Sequence, residues 1–259
     1  MKNKTPKQIV TGYRLKCVLV AILYALVLFA LIFFVMSKSV FFAMIGVVAL
    51  ASSIRVPFEK IRQKDIENVI YEELDPEKFE EILALGVLKK SNRHKMLLYM
   101  SAGKHEEILD LVEKISEKTH HPIDKCNNLY RVAYVHFERG EYEKLPDIIK
   151  KYNKLKSENP KFTYVLNNFS VFDKYDAFVD DDFEYVIDVC DIDLKELDTK
   201  KQNHKLTKIN VSFYRAVSLY KLGNFDEAKA SFEDIINFAP KMYKAKLSKE
   251  FIELIEKKR

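Results

Sequence analysis

The sequence predicts an all-α protein in two parts. An N-terminal hairpin of two transmembrane helices leads into an α-solenoid of about four helical hairpins with a C-terminal capping helix. Three observations carry the prediction. Residues 17–36 contain no charge, and after Ser37-Lys38-Ser39 a second apolar run covers 40–54. From Pro57 onward apolar residues recur at helical spacing, with few glycines or prolines. Period-two alternation is missing throughout, and the linkers between periodic segments are short. The layout is a basic cytoplasmic arm at 1–16, a two-span membrane hairpin at 17–56 and a cytoplasmic helical body at 57–259.

The membrane hairpin follows from length. At about 1.5 Å per residue, residues 17–36 span about 30 Å, the thickness of a bilayer core. One continuous helix through residue 54 would be about twice as long and would place Lys38 near its middle, at about 2.5–3.5 kcal/mol. Two antiparallel spans with a tight turn avoid both costs, and Arg55 reaches the headgroups at the end of the shorter span. A cleaved signal peptide fits poorly, because signal apolar regions run to about 7–15 residues. Lys2, Lys4, Lys7, Arg14 and Lys16 flank one side, and Arg55, Lys60, Arg62 and Lys64 the other, with only Lys38 between the spans. Both flanks are therefore expected in the cytoplasm. Ala21 with Ala25, and Ala49 with Ser53, offer small residues for close approach of the spans.

Charge limits the partners. Residues 1–56 hold seven of the 43 Lys/Arg and no acid, so the remaining 36 are balanced by all 38 Asp/Glu. A near-neutral body lacks the broad basic face that nucleic-acid binding demands, so no nucleic acid is expected. Cys17, Cys126 and Cys190 form neither a C-x-x-C pair nor an even framework, which points to packed, reduced thiols. Abundant Lys, Asn and Ile with no Trp suggest a bacterium with an AT-rich genome.

Within the body, "LDPEKFEEIL" (74–83) reads as a helix start, with Asp75 as cap and Pro76 at the first helical position. Helices are predicted near 58–72, 76–85, 90–102, 105–118, 124–139, 142–156, 161–179, 183–197, 206–222, 225–237 and 241–257. "YKLGNFDEAKASFEDIINFAP" (220–240) is the most informative stretch. Gly223 sits where one helix ends and the next folds back, and it adopts the left-handed conformation without penalty. Ala216 and Ala228 let two helices approach closely, Phe225 and Phe232 fill the space around them, and Pro240 stops the second helix.

Ala216, Gly223, Phe225, Ala228, Phe232 and Pro240 together resemble the tetratricopeptide repeat (TPR) signature. The resemblance continues upstream with decay. Ala133, Gly140 and Tyr142 fall at matching intervals, with Leu145 in place of the small residue and Pro146 after it, so that helix is expected to start late or bend. Gly103, His105, Ile108 and Val112 match by position, as do Asp181 and Phe183. Ser212 departs from the bulky residue the family favours. The turns at 103, 140, 181 and 223 lie farther apart than the family's usual period of about 34 residues. Capping helices are required at the ends of such a stack. Residues 241–258 read as the C-terminal cap, with Met242, Ala245, Phe251, Ile252 and Ile255 on its apolar side.

The resemblance implies that the first helix of each hairpin lines a concave, peptide-binding groove. By turn position those faces carry Tyr130, Arg131, Tyr134, Asn168, Tyr175, Asn210, Tyr214 and Tyr220, with Phe137, Phe172 and Phe213. The three phenylalanines are expected to pack between hairpins, and Arg131, Tyr134 and Tyr214 to face the groove. The Lys/Asn clamp that some TPR proteins use for a chaperone's acidic tail is not reproduced, so chaperone binding is not implied.

Catalytic and metal signals are weak. "HEEIL" (105–109) lacks the second histidine of a zinc motif, His120-His121 reads as a solvated loop pair, and "DDD" (180–182) reads as an acidic turn rather than a calcium loop. Neither a phosphate-cradling loop nor a nucleophile elbow is present in the sequence. The expectation is a protein without cofactor or metal: a membrane-tethered scaffold that binds a protein or peptide segment and is not an enzyme. The alternative is a regulatory or assembly subunit of a membrane protein complex, recognised through its transmembrane helices.

Overall fold

The computed structural model describes residues 4–35, 64–88, 91–167, 171–197, 199, 201 and 203–258. Among these the regular structure is entirely helical. The second predicted span, Lys38, Arg55, Ala49, Ser53 and Asn168 lie outside the described residues.

The chain divides into two compact units, Met1–Lys89 and Lys90–Arg259. The first holds α1 (Pro6–Val35), α2 (described at 64–71) and α3 (Pro76–Ala84). Residues 64–84, assigned from the sequence to the solenoid body, thus group with the N-terminal helix. Residues 6–16 of the proposed basic arm are likewise part of α1. Thr5-Pro6-Lys7-Gln8 starts that helix with a reciprocal cap: Gln8 N–H donates to Thr5 Oγ1 at 3.3 Å, and Thr5 N–H donates to Gln8 Oε1 at 2.9 Å. Pro6 stands at the first helical position, where its missing N–H costs nothing.

The start of α1 is tied to its own unit. Ile9 and Val10 are buried, Lys16 Nζ meets Asp65 Oδ2 at 2.8 Å, and Arg14 donates to the Leu85 carbonyl at 3.1 Å. Ile66, Val69, Ile70, Phe79 and Ile82 form the core of the unit. Asp75 caps α3 as predicted, accepting from the Lys78 N–H at 3.0 Å with Pro76 following it.

The second unit runs through α4 (Asn92–Ala102), α5 (His105–Ser116), α6 (Pro122–Glu138), α7 (Leu145–Glu158), α8 (Thr163–Asn167), α9 (Val171–Val179), α10 (Phe183–Lys195), α11 (His204–Lys221), α12 (Phe225–Phe238) and α13 (Tyr243–Lys258). Helices adjacent in sequence pack together: α4 on α5, α5 on α6, α6 on α7, α7 on α9, and so on to α13. Pro146 has the anticipated effect. Tyr142–Lys144 form a 3-10 turn, and the α-helix begins only at Leu145. Where one helix is expected over 161–179, residues 160–162 form a 3-10 turn and 163–167 and 171–179 are helical as α8 and α9, while 168–170 lie outside the described residues.

Four turns repeat one geometry. Gly103, Gly140, Asp181 and Gly223 have φ of 67°, 71°, 57° and 80°. The N–H of the following residue donates to the carbonyl five positions back: Lys104 to Tyr99, Glu141 to His136, Asp182 to Ala177 and Asn224 to Leu219. This closes a Schellman-type cap. Asp181 takes the left-handed conformation that glycine supplies elsewhere, which a short polar side chain tolerates.

Burial follows the same register. Ile108, Leu145, Val186 and Ala228, each five residues after a turn residue, are fully buried; Val112, Ile149, Cys190 and Phe232, four further on, are buried as well. Ala133 and Ala216, seven residues before their turns, are completely enclosed. Pro240 follows the end of α12 at Phe238, and Phe232 stacks on Phe251 of α13 with ring centroids 5.0 Å apart. Beyond this series, α6 also touches α8 and α9, and α13 touches α4 as well as α11 and α12.

Candidate functional site

The predicted groove residues converge, but in the interior. Tyr134, Tyr175 and Tyr214 are 3%, 0% and 4% exposed, which overturns the expectation that Tyr134 and Tyr214 face an open groove. The Tyr175 and Tyr214 rings meet Phe137, whose centroid lies 5.4 Å from that of Tyr175 and 4.9 Å from that of Tyr214. The Tyr175 and Tyr214 hydroxyls share a hydrogen bond of 2.9 Å, and Tyr134 Oη donates to the Met100 carbonyl at 3.1 Å. Burial raises all three hydroxyls well above their ordinary 10.0, so they remain neutral. Phe137, Phe172 and Phe213 are buried between helices, as anticipated.

The remaining predicted contacts scatter. Tyr130 is half-buried beside Tyr134, with centroids 6.2 Å apart. Arg131 is half-buried and donates to Asn128 Oδ1 at 2.9 Å. Tyr220 lies under Lys258 Nζ, 4.6 Å from its ring centroid, and against Phe251. Asn210 is half-buried on α11.

Packing of α13 against α4, α11 and α12 explains why the tyrosines are enclosed. At the start of α13, Tyr243 and Lys244 enter among α4, α5, α6 and α11. The Tyr243 ring stands edge-on to His105, with centroids 5.2 Å apart, and covers Gly103 so closely that a Cβ there would overlap it. Lys244 is 2% exposed. Its ammonium lies 4.3 Å from the Phe213 ring centroid, 4.9 Å from that of Tyr134 and 5.5 Å from that of Tyr214. It is ion-paired with Glu138 Oε1, and Glu138 Oε2 accepts from His105 Nε2 at 2.8 Å.

The ionisation states follow from these neighbours. Burial disfavours charge on Glu138, but the Lys244 ammonium and the His105 hydrogen bond outweigh it and hold the carboxyl below its ordinary 4.5. Burial pulls Lys244 below its ordinary 10.5, and Glu138 opposes that pull. The aromatic faces and the carboxylate together form a receptor for an ammonium group, and the protein supplies that ammonium itself.

His105 therefore serves as a structural partner of Glu138, and His121 caps α6 by accepting from the Ile123 N–H at 3.3 Å. Asp182 caps α10 through the Tyr185 N–H, consistent with the acidic-turn reading of 180–182. Cys126 and Cys190 are fully buried free thiols.

An open cleft of about 400 Å³ remains on the second unit, lined by α5, α6 and α7. Val112, Leu129, Val132 and Leu155 supply apolar surface, and Lys125, Lys151 and Lys154 stand exposed at its rim. The lining is shared among three separate helices, so no contiguous stretch of the sequence signals this surface. Comparison with known protein families, curated proteins and solved structures found no match to this chain.

Proposed function

We propose that the chain is a membrane-tethered interaction scaffold: a TPR-like α-solenoid held at the cytoplasmic face of the cell membrane by a two-span N-terminal hairpin, where it binds a segment of another protein. The observation that carries this reading is the surface of α1. Leu15, Val18, Leu19, Ile22, Leu26 and Phe29 are 51–70% exposed along a helix that is long and apolar enough, over Pro6–Leu26, to cross a membrane. Such a stripe is stabilised by lipid or by another apolar helix rather than by water. The four turns of shared geometry and the matching register of buried residues support the repeat reading of the second unit.

The inner tyrosines are excluded as ligand contacts by their burial, so a partner binds at the surface left open unless α13 is displaced. In the second reading the stripe recognises a membrane helix of a larger complex, and the helical unit is a spacer. The same exposed residues favour it.

Flotation of the full chain with vesicles tests the tether. The wild-type chain is expected to float and to resist carbonate extraction. Leu19→Asp with Ile22→Asp should shift it toward the soluble fraction, since each aspartate costs about 2.5–3.5 kcal/mol at a span centre. Unchanged flotation of the double variant refutes the role of the α1 stripe. Photocrosslinking from position 22 to another membrane protein, with none from the helical unit, selects the second reading.

A further inference from the structure

We propose that the cleft bounded by α5, α6 and α7 docks an acidic amphipathic helix of a partner protein; this rests on the interaction-scaffold reading and names its site and partner chemistry. The floor is one face of α6. Asn128, Leu129 and Val132 recur there at helical spacing with Lys125 at the near end, and the span from Lys125 to Val132 rises about 10 Å, two turns. α5 and α7 each pack on α6 and rise on either side, adding Val112 and Leu155 to the apolar surface. Two helical ridges flanking a third form a trough suited to a rod, the shape into which an amphipathic helix packs.

Charge then selects the occupant. Lys125, Lys151 and Lys154 are exposed at the rim against a single acid, Glu158. Glu158 lies 3.7 Å from Lys154 with both side chains exposed, a pairing that contributes little and yields readily to a better one. The polar groups of the floor are satisfied internally: Asn128 Nδ2 donates to Ser116 Oγ at 3.0 Å, and Asn128 Oδ1 accepts from Arg131. The cleft thus offers a partner aliphatic surface and cations. A helix with apolar residues at i, i+3 or i+4, and i+7, flanked by carboxylates, matches both.

The probe is a fluorescein-labelled Ala/Leu/Glu peptide of about 18 residues, above the ~12–15 at which isolated helices are marginal. Leucines occupy one face and glutamates flank them. Fluorescence anisotropy is measured on the full chain in detergent. The acidic peptide is expected to bind with an affinity that falls as salt rises, and the same peptide with Gln for Glu about tenfold more weakly. Lys125→Glu with Lys151→Glu and Lys154→Glu should lower affinity for the acidic peptide at least about tenfold and create binding of a Lys-flanked version. All three side chains are exposed, so an unchanged circular dichroism melt verifies folding. Leu129→Asp should weaken every peptide.

Equal binding of the Glu and Gln peptides, or indifference to the charge reversal, overturns the proposal. So does saturable binding of oleate at the cleft without peptide binding, which would make it a lipid site. Failure of the peptide to bind a chain that still floats and crosslinks to a protein partner removes this site but leaves the scaffold reading standing. Loss of flotation behaviour tells against the scaffold whatever the peptide does.

Discussion

Lys244→Met tests how the inner face is closed. The substitution keeps an unbranched side chain of similar length in the same cavity but removes the ammonium. Glu138, with a fully buried side chain, then keeps His105 and the Tyr134 hydroxyl as polar partners but loses the ammonium. Removing one member of a buried ion pair costs about 3–5 kcal/mol, largely because the other charge stays behind without compensation. Methionine still fills the space between Phe213, Tyr134 and Tyr214, so packing is largely preserved. For a unit of this size the melting temperature should fall by about 6–20 °C. Glu138→Leu alone should cost a similar amount by leaving the ammonium inside. The double variant Glu138→Leu, Lys244→Met replaces the pair with apolar groups, and such replacements are often neutral. The two changes together should therefore cost less than either alone, a coupling of about 2 kcal/mol or more. The assay is thermal and urea unfolding of the full chain in detergent, followed by circular dichroism. A Lys244→Met variant within about 0.5 kcal/mol of wild type, or additive single effects, would refute the argument that Lys244 locks α13 into the interior.

Further outcomes follow from the same contacts. Because Glu138 is held below its ordinary 4.5, the stability it contributes is whole at neutral pH and is lost as pH falls below about 5. Glu138→Gln should flatten that part of an acid-unfolding profile. Gly103→Ala should destabilise more than Gly140→Ala or Gly223→Ala. All three carry the left-handed penalty of about 1–2 kcal/mol, but only at Gly103 would the new Cβ collide with a ring, that of Tyr243. Thermal melts of the three variants check the order. Burial pushes the Cys126 and Cys190 thiols up to about 12, so both should resist maleimide at pH 8 until urea unfolds the second unit. Mass spectrometry of the labelled chain reads this directly.

Local signals made much of the helical framework legible. Gly103, Gly140, Asp181 and Gly223 end helices because their backbones must turn left-handed, and that requirement is written in residue type. Asp75-Pro76 and Pro146 act within one helical turn, so their effects on α3 and α7 could be read directly. The Thr5-Gln8 cap is equally local, though it sits among basic residues whose charge is the stronger signal. The inner site was not legible, because it depends on pairing Glu138 with Lys244 across more than a hundred residues. Among 43 basic and 38 acidic residues, nothing local distinguishes that pair. Lys244 lies between Met242 and Ala245, in a stretch of alternating lysines that reads as solvated. Its burial, with Ser248 one turn later at 0% exposure, shows that the buried face of α13 is wider than its apolar residues suggest. The tyrosines are legible in the sequence as a group, but their placement is not. A ring on the first helix of a hairpin can face a groove or a neighbouring helix, and the docking of α13 decides between them.

Impermeant maleimide labelling of intact cells tests the central claim most directly, using Lys38→Cys and Lys257→Cys in otherwise cysteine-free full chains. A chain anchored by two spans with its helical unit inside the cell should label at position 38 from outside, and at position 257 only after lysis. Labelling of position 257 in intact cells would contradict the account.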